Sequence, residues 1–195
     1  MKALLLSAVF TVTFFSFANA QWFHAGVKLG TNVNKIQGES FSDRFTYGYS
    51  AGAFAEIKLS NRLGLQTEVL FNQVNTDTSD KFSQLYKISP STITNIKLNY
   101  ISIPLLLNYK LSNIISLQAG PQYGILINQN ENLLENGQKA FKQGDFSLLG
   151  GVQVKLAGIR IYGRYGVGLN NLNDIDNRDK WKNQSIQLGI GFAIL

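Results

Sequence analysis

The chain has no cysteine, a single histidine, three prolines and, beyond its first twenty residues, no apolar run long enough to cross a bilayer as a helix. Without cysteine there are no disulfides, no thiolate metal ligands, no cysteine nucleophile and no lipid attached through an N-terminal cysteine. Charge is also scarce. Only 15% of the 195 residues are charged, against roughly a quarter in soluble domains. What charge there is leans positive, with 18 Lys and Arg against 12 Asp and Glu. The basic residues are scattered, and no basic stripe with interleaved aromatics appears, which excludes nucleic acid as a partner. Glycine and aromatics are plentiful, with 18 Gly, 13 Phe and 8 Tyr, and mean hydropathy is near zero at −0.02. The length suits one domain.

Residues 1–20 stand apart. Lys2 gives a positive start, Leu4 to Phe17 an apolar stretch shorter than a membrane span, and Ala18-Asn19-Ala20 a small-x-small cleavage site. The expectation is a cleaved signal peptide over residues 1–20 and a barrel domain over residues 21–195.

Across that domain the dominant period is two, the mark of strands whose faces meet unlike surroundings. Eight segments show it. Phe23, Ala25, Val27 and Leu29 oppose His24, Gly26, Lys28 and Gly30. Phe45 to Leu59 sets Tyr47, Tyr49, Ala51, Ala53, Ala55 and Ile57 against Gly48, Ser50, Gly52 and Glu56. Leu63, Leu65, Val69 and Phe71 oppose Gly64, Gln66, Glu68 and Asn72. Ile101, Ile103, Leu105 and Leu107 oppose Ser102, Pro104 and Asn108, with Leu98, Tyr100 and Leu106 blurring the pattern. Ile115 to Ile127 alternates against Ser116, Gln118, Gly120, Gln122 and Gly124. In the sixth segment the apolar parity becomes even, at Phe146, Leu148, Val152, Val154 and Leu156. The seventh, Ile159 to Leu169, opposes Arg160, Tyr162, Arg164, Gly166 and Gly168, and the eighth, Ile186 to Ile194, opposes Ser185, Gln187, Gly189 and Gly191.

Connections alternate in length. Polar stretches at Asn34 to Arg44, Asn75 to Thr92, Asn128 to Gly144 and Asn170 to Lys182 alternate with tight turns at Ser60-Asn61-Arg62, Leu111-Ser112-Asn113 and Ala157-Gly158. Long loops therefore gather at one end of the strands and short turns at the other. Parity tests the turns independently. Strands 2 and 3 share apolar parity, so three loop residues set Leu59 opposite Leu63; strands 6 and 7 differ, so two set Leu156 opposite Ile159, with Gly158 free to take a positive φ.

Face composition places the apolar side outside. The polar face holds few charges and much Gly, Ser and Gln, which suits a crowded interior rather than a water-facing surface, which would be roughly a quarter to a third charged. The apolar face carries aromatics near the strand ends: Tyr47, Tyr49, Phe71 and Phe146 at the long-loop end, Tyr109 and Phe192 at the other. Such girdles sit at the headgroup level of a bilayer. The pattern predicts an all-β fold, an eight-stranded antiparallel up-and-down transmembrane β-barrel, closed so that no backbone edge meets lipid. An even strand count puts both termini on the short-turn side, the periplasm, in a cell outer membrane.

Gly26-Val-Lys-Leu-Gly30-Thr-Asn32, Ala51-Gly-Ala-Phe-Ala-Glu56, Leu63-Gly-Leu-Gln-Thr-Glu68-Val-Leu-Phe71, Tyr100-Ile-Ser-Ile-Pro104-Leu-Leu-Leu-Asn-Tyr109 and Ala119-Gly-Pro121-Gln-Tyr-Gly124 together resemble the PorT-like outer-membrane β-barrel family of Bacteroidetes-type bacteria. The resemblance covers essentially the whole chain after residue 20. It implies an eight-stranded outer-membrane barrel, and through the founding member a link to secretion across the outer membrane.

By parity Lys28, Glu56, Glu68, Lys155, Arg160, Tyr162 and Arg164 point inward, with Gln66, Gln118, Gln122, Gln153 and Gln187 around them. Eight-stranded barrels are only wide enough for side chains to fill, so the expectation is a polar network plugging the lumen. A charged constriction passing small solutes is the alternative. His24 also faces inward, without the serine and acid that a lipid-modifying enzyme needs, and the expectation is a non-enzymatic structural or interaction component. Asp174-Ile-Asp176-Asn-Arg-Asp179 lacks the glycine and terminal glutamate of a calcium loop, so no metal or cofactor is expected. Leu133, Leu134 and Phe141 offer either a partner surface or self-packing of one long loop. The expected partners are outer-membrane lipid, lipopolysaccharide phosphates at basic rims, and proteins met through the external loops.

Overall fold

The structure, a computed structural model, describes residues 22–37, 46–77, 95–129, 144–170 and 182–194. The expected signal segment, most of each long loop and the Asp174 to Asp179 stretch lie outside these residues. Among the described residues there are eight strands: β1 Phe23–Gln37, β2 Thr46–Lys58, β3 Leu63–Asp77, β4 Asn95–Lys110, β5 Ile115–Gln129, β6 Gly144–Leu156, β7 Ile159–Gly168 and β8 Lys182–Ala193. Every strand pairs antiparallel with its sequence neighbours, and β1 pairs with β8, so the sheet closes into a barrel. Among the described residues no helix is long and apolar enough to cross a membrane.

Alternation decides which side faces in. Along β7 the pattern is strict: Arg160, Tyr162, Arg164, Gly166 and Gly168 are buried, while Ile159, Ile161, Tyr165 and Val167 are exposed. The same holds around the wall, and the outer surface is a belt of Val, Leu, Ile, Tyr and Phe. The expected parity switch into β6 is present, with Asp145, Ser147, Leu149 and Gln153 buried.

Leu98, Tyr100 and Leu106, which blur the β4 pattern, are inward residues: both leucines are fully buried and Tyr100 nearly so. They join Phe54, Leu70 and Leu149 as apolar filling in a mostly polar interior. Pro104 also faces inward, and its missing N–H marks a break: the β3–β4 register passes from Thr67↔Leu105 to Leu70↔Ser102. The β4–β5 register likewise passes from Pro104↔Gln122 to Leu107↔Ala119, skipping Pro121, and shifts by a bulge between Asn99 and Tyr100.

The turns close as parity requires. Leu59 and Ser60 donate backbone N–H to the Leu63 carbonyl at 2.9 and 3.0 Å, and the Ser60 hydroxyl accepts from the Leu63 N–H at 3.1 Å. Ser112 repeats the device before Ile115. Leu156 faces Ile159, but the positive φ, 52°, falls on Ala157 rather than on Gly158. A two-residue hairpin can take its left-handed bend at the first central position, and that position is Ala157.

Several strands outrun their expected ends on the long-loop side. β1 runs through Asn34 to Gln37, β3 through Asn75 to Asp77, β5 through Asn128 to Gln129, β6 starts at Gly144 and β8 at Lys182. Hydrophobic alternation stops where hydrocarbon stops, yet ladder partners continue: Gln37 pairs with Lys182 and Asp77 with Asn95. Beyond the bilayer a strand needs only a neighbour to bond, so composition gives no sign of it.

Candidate functional site in the barrel interior

Two carboxylates organise the interior. Glu56 on β2 accepts from Lys155 Nζ at 2.6 Å through Oε1, forms an ion pair with Arg160 through Oε2, and accepts from Asn108 Nδ2 at 3.2 Å. Glu68 on β3 accepts from Lys28 Nζ at 2.6 Å and takes Arg164 in a two-pronged grip, Nη2 at 2.7 Å and Nη1 at 3.0 Å. Gln66 Nε2 donates to the same carboxylate. The Glu68 cluster is closed off, its Lys28 and Arg164 side chains wholly buried, whereas Lys155 keeps 28% of its side chain exposed.

Amides join the two clusters. Asn108 Nδ2 also donates to Gln66 Oε1 at 3.0 Å; Gln118 Nε2 donates to Asn108 Oδ1 at 2.8 Å and to Gln153 Oε1 at 3.2 Å, while its carbonyl accepts from Arg164 Nε at 2.8 Å. Four cations thus share two carboxylates. Ring faces take part of the excess: Lys28 Nζ lies 4.0 Å from the Tyr162 centroid, Arg164 4.5 Å from the same ring, and Arg160 4.5 Å from Phe54.

The wall glycines make room for these side chains. A methyl at Gly189 meets the Tyr162 hydroxyl at 2.5 Å, one at Gly30 meets it at 2.7 Å, and one at Gly64 meets Glu56 Oε1 at 3.1 Å. Large groups on β2 and β7 therefore lie against glycine on β1, β8 and β3.

The seven residues expected inside, Lys28, Glu56, Glu68, Lys155, Arg160, Tyr162 and Arg164, all face inward and touch one another directly or through the amides. Phe54, Asn108 and Asp145 are members that sequence reasoning left out. Their signal was parity alone, since each occupies an inward position of its strand. Asp145 belongs to a second polar group toward the long loops. It accepts from Ser147 at 3.3 Å and Asn183 at 3.1 Å, and among the described residues no basic side chain pairs with it. Asn32 donates to Asn72 at 2.9 Å and Gln187 to Gln122 at 3.3 Å nearby.

His24 faces inward opposite Glu56 in the β1–β2 register, and its Nδ1 is buried without a hydrogen-bond partner. A serine–histidine–acid relay needs an acid on that nitrogen, and among the described residues none is there. Among the described residues no group of three or more His, Asp or Glu is placed to hold a metal ion.

A family model described as "Outer membrane protein beta-barrel domain" matches residues 17–174. Among solved structures the fold is similar to Ail, the attachment invasion locus protein of Yersinia pestis, with a TM-score of 0.53 at 12% identity, covering 89% of this chain and 100% of that one. Ail in complex with the heparin analogue sucrose octasulfate gives 0.52 at 10% identity over the same shares. Neisserial surface protein A gives 0.49 at 14% identity, covering 87% of this chain and 96% of that one. No curated protein matches at the sequence level.

Proposed function

Because the chain belongs to the outer membrane protein beta-barrel domain family, we propose that this outer-membrane barrel is a closed structural or interaction component whose lumen is plugged and whose long loops make its contacts. The observation that carries the reading is the Lys28–Glu68–Arg164 cluster. It ties β1, β3 and β7 across the interior through side chains with no exposed surface, so an ion entering here must break charge-assisted hydrogen bonds between fully buried groups. The role proposed is binding, and the unpartnered Nδ1 of His24 among the described residues gives a catalytic reading no support.

Finer assignments belong to the same proposal. The chain is exported with removal of residues 1–20, both termini lie on the periplasmic, short-turn side, and the long loops face outward to lipopolysaccharide and protein partners. The sequence motifs support a PorT-like subgroup and, through it, a link to secretion.

Planar-bilayer recording tests the plug. The wild-type barrel should give no unitary steps, and the double variant Glu68→Ala with Arg164→Ala, which removes one charge of each sign, should give them. Reproducible steps from the wild type would overturn the plug and establish a narrow passive channel.

A further inference from the structure

The interior network ends in an open vestibule on the short-turn side, a cavity of about 550 Å³. Its volume falls within the range of small-ligand sites. Its charge is one-sided. Lys155 and Arg160 form the floor, both already on Glu56, and Glu56 is the one carboxylate among the lining residues. Three more cations, Lys58, Arg62 and Lys110, ring the mouth from the end of β2, the β2–β3 turn and the end of β4. These three side chains are exposed, and among the described residues none has an ion-pair partner. A backbone bond from Lys110 N–H to the Arg62 carbonyl at 2.8 Å holds two of their strand ends together, and one from Lys58 N–H to the Trp22 carbonyl at 2.7 Å brings Trp22 to the rim. His24 adds a buried, unpartnered Nδ1 to the lining.

Like charges gathered in a concavity repel one another, and low-dielectric walls focus their field into the space they surround. A folded state that assembles five cations around one carboxylate is improved by an anion seated among them. The opening lies on the barrel axis and the walls are hydrogen-bonding as well as charged, with Ser60, Asn61 and Asn113 between the cations. Guanidinium and ammonium groups around a cavity of this size are the donor set that multiply charged oxyanions use.

We propose that this vestibule is a binding site for a phosphate-class anion carrying two or more charges, entered from the short-turn end. The floor arginine and lysine act as fixed donors held by Glu56, and the three rim cations supply the affinity. The site lies outside the plug and needs no passage through it.

Trp22 supplies the test. In the full chain carrying Trp181→Phe it is the sole indole. The refolded protein in zwitterionic detergent is titrated with pyrophosphate and, separately, with potassium chloride of matched ionic strength, following Trp22 emission and, in parallel, heat by calorimetry. The expected result is saturable binding of pyrophosphate, weakened about tenfold or more in the triple variant Lys58→Gln, Arg62→Gln, Lys110→Gln. That variant should keep its heat-modifiable gel shift, because none of the three holds an interior carboxylate. Given saturable binding, competition by short-chain phosphatidic acid assigns the occupant to lipid headgroups, and lack of competition assigns it to soluble phosphates. No heat beyond dilution, or a signal that follows ionic strength alone and is the same in the triple variant, overturns the proposal.

Discussion

At the scale of single residues, the two inward carboxylates of β3 and β6 make opposite predictions. Glu68 neutralises two buried cations, so Glu68→Gln leaves Lys28 and Arg164 facing each other across an amide. Breaking a buried pair by removing one partner costs about 3–5 kcal/mol, and the urea midpoint of refolded barrel should fall accordingly. Among the described residues Asp145 has only Ser147 and Asn183 as donors, and Asn can keep one of those bonds while discarding a buried charge. Asp145→Asn should therefore leave the midpoint unchanged or raise it. That Glu68, Lys28 and Arg164 point inward was legible from parity. Their partnership was not, because Lys28 and Glu68 are separated by 40 positions and Glu68 and Arg164 by 96. Which inward residues meet is set by the stagger of strands around the barrel, and no local pattern in the chain encodes it. Asp145 escaped notice because it precedes the first apolar residue of its segment, immediately after the expected Asn128 to Gly144 loop.

At the scale of strands, the glycine pattern separates space from flexibility. Gly150 faces outward with nothing within 4 Å of an added methyl, whereas the same methyl on Gly189 meets the Leu29 carbonyl and the Tyr162 ring. Gly150→Ala should be neutral in chemical denaturation, and Gly189→Ala should cost about 1–3 kcal/mol, the range for overfilling a packed interior. The strands themselves were the most legible feature, since a half-lipid, half-lumen environment writes a strict two-residue period. Their long-loop ends were the least legible, because Asn34, Asn75 and Asn128 continue the ladder after the apolar alternation has stopped. Pro104 and Pro121 belong here as well: a barrel has no edge strand to put them on, and the wall accommodates each at a local break in pairing.

At the scale of the whole molecule, low charge and near-zero hydropathy are averages over two opposed surfaces. The outer belt should respond to charge by depth. Ile103, near the middle of β4, is exposed to the outside, as is Tyr47 near the long-loop end of β2. An arginine should cost about 2–4 kcal/mol at Ile103 and about 0–1 at Tyr47, measured as folding free energy into vesicles.

Seven of the eight ladders join strands adjacent in sequence; only β1 with β8 joins the two ends of the barrel. That pair is the clasp of a hoop. It forms when the ends of a long chain have found each other, later than the local hairpins, and reopens with no short turn to hold it. The clasp is thin on its inner side, where Gly26 and Gly30 on β1 and Gly189 and Gly191 on β8 carry no side chain, and Tyr162 reaches over from β7 to lie against it. Leu29 and Ile190 face each other across it on the lipid side. In a chain with no cysteine of its own, Leu29→Cys with Ile190→Cys would install the sole disulfide. Oxidised, that variant should unfold in denaturant more slowly than the wild type and regain the wild-type rate on reduction; an unchanged rate in the oxidised form would show that the barrel opens elsewhere.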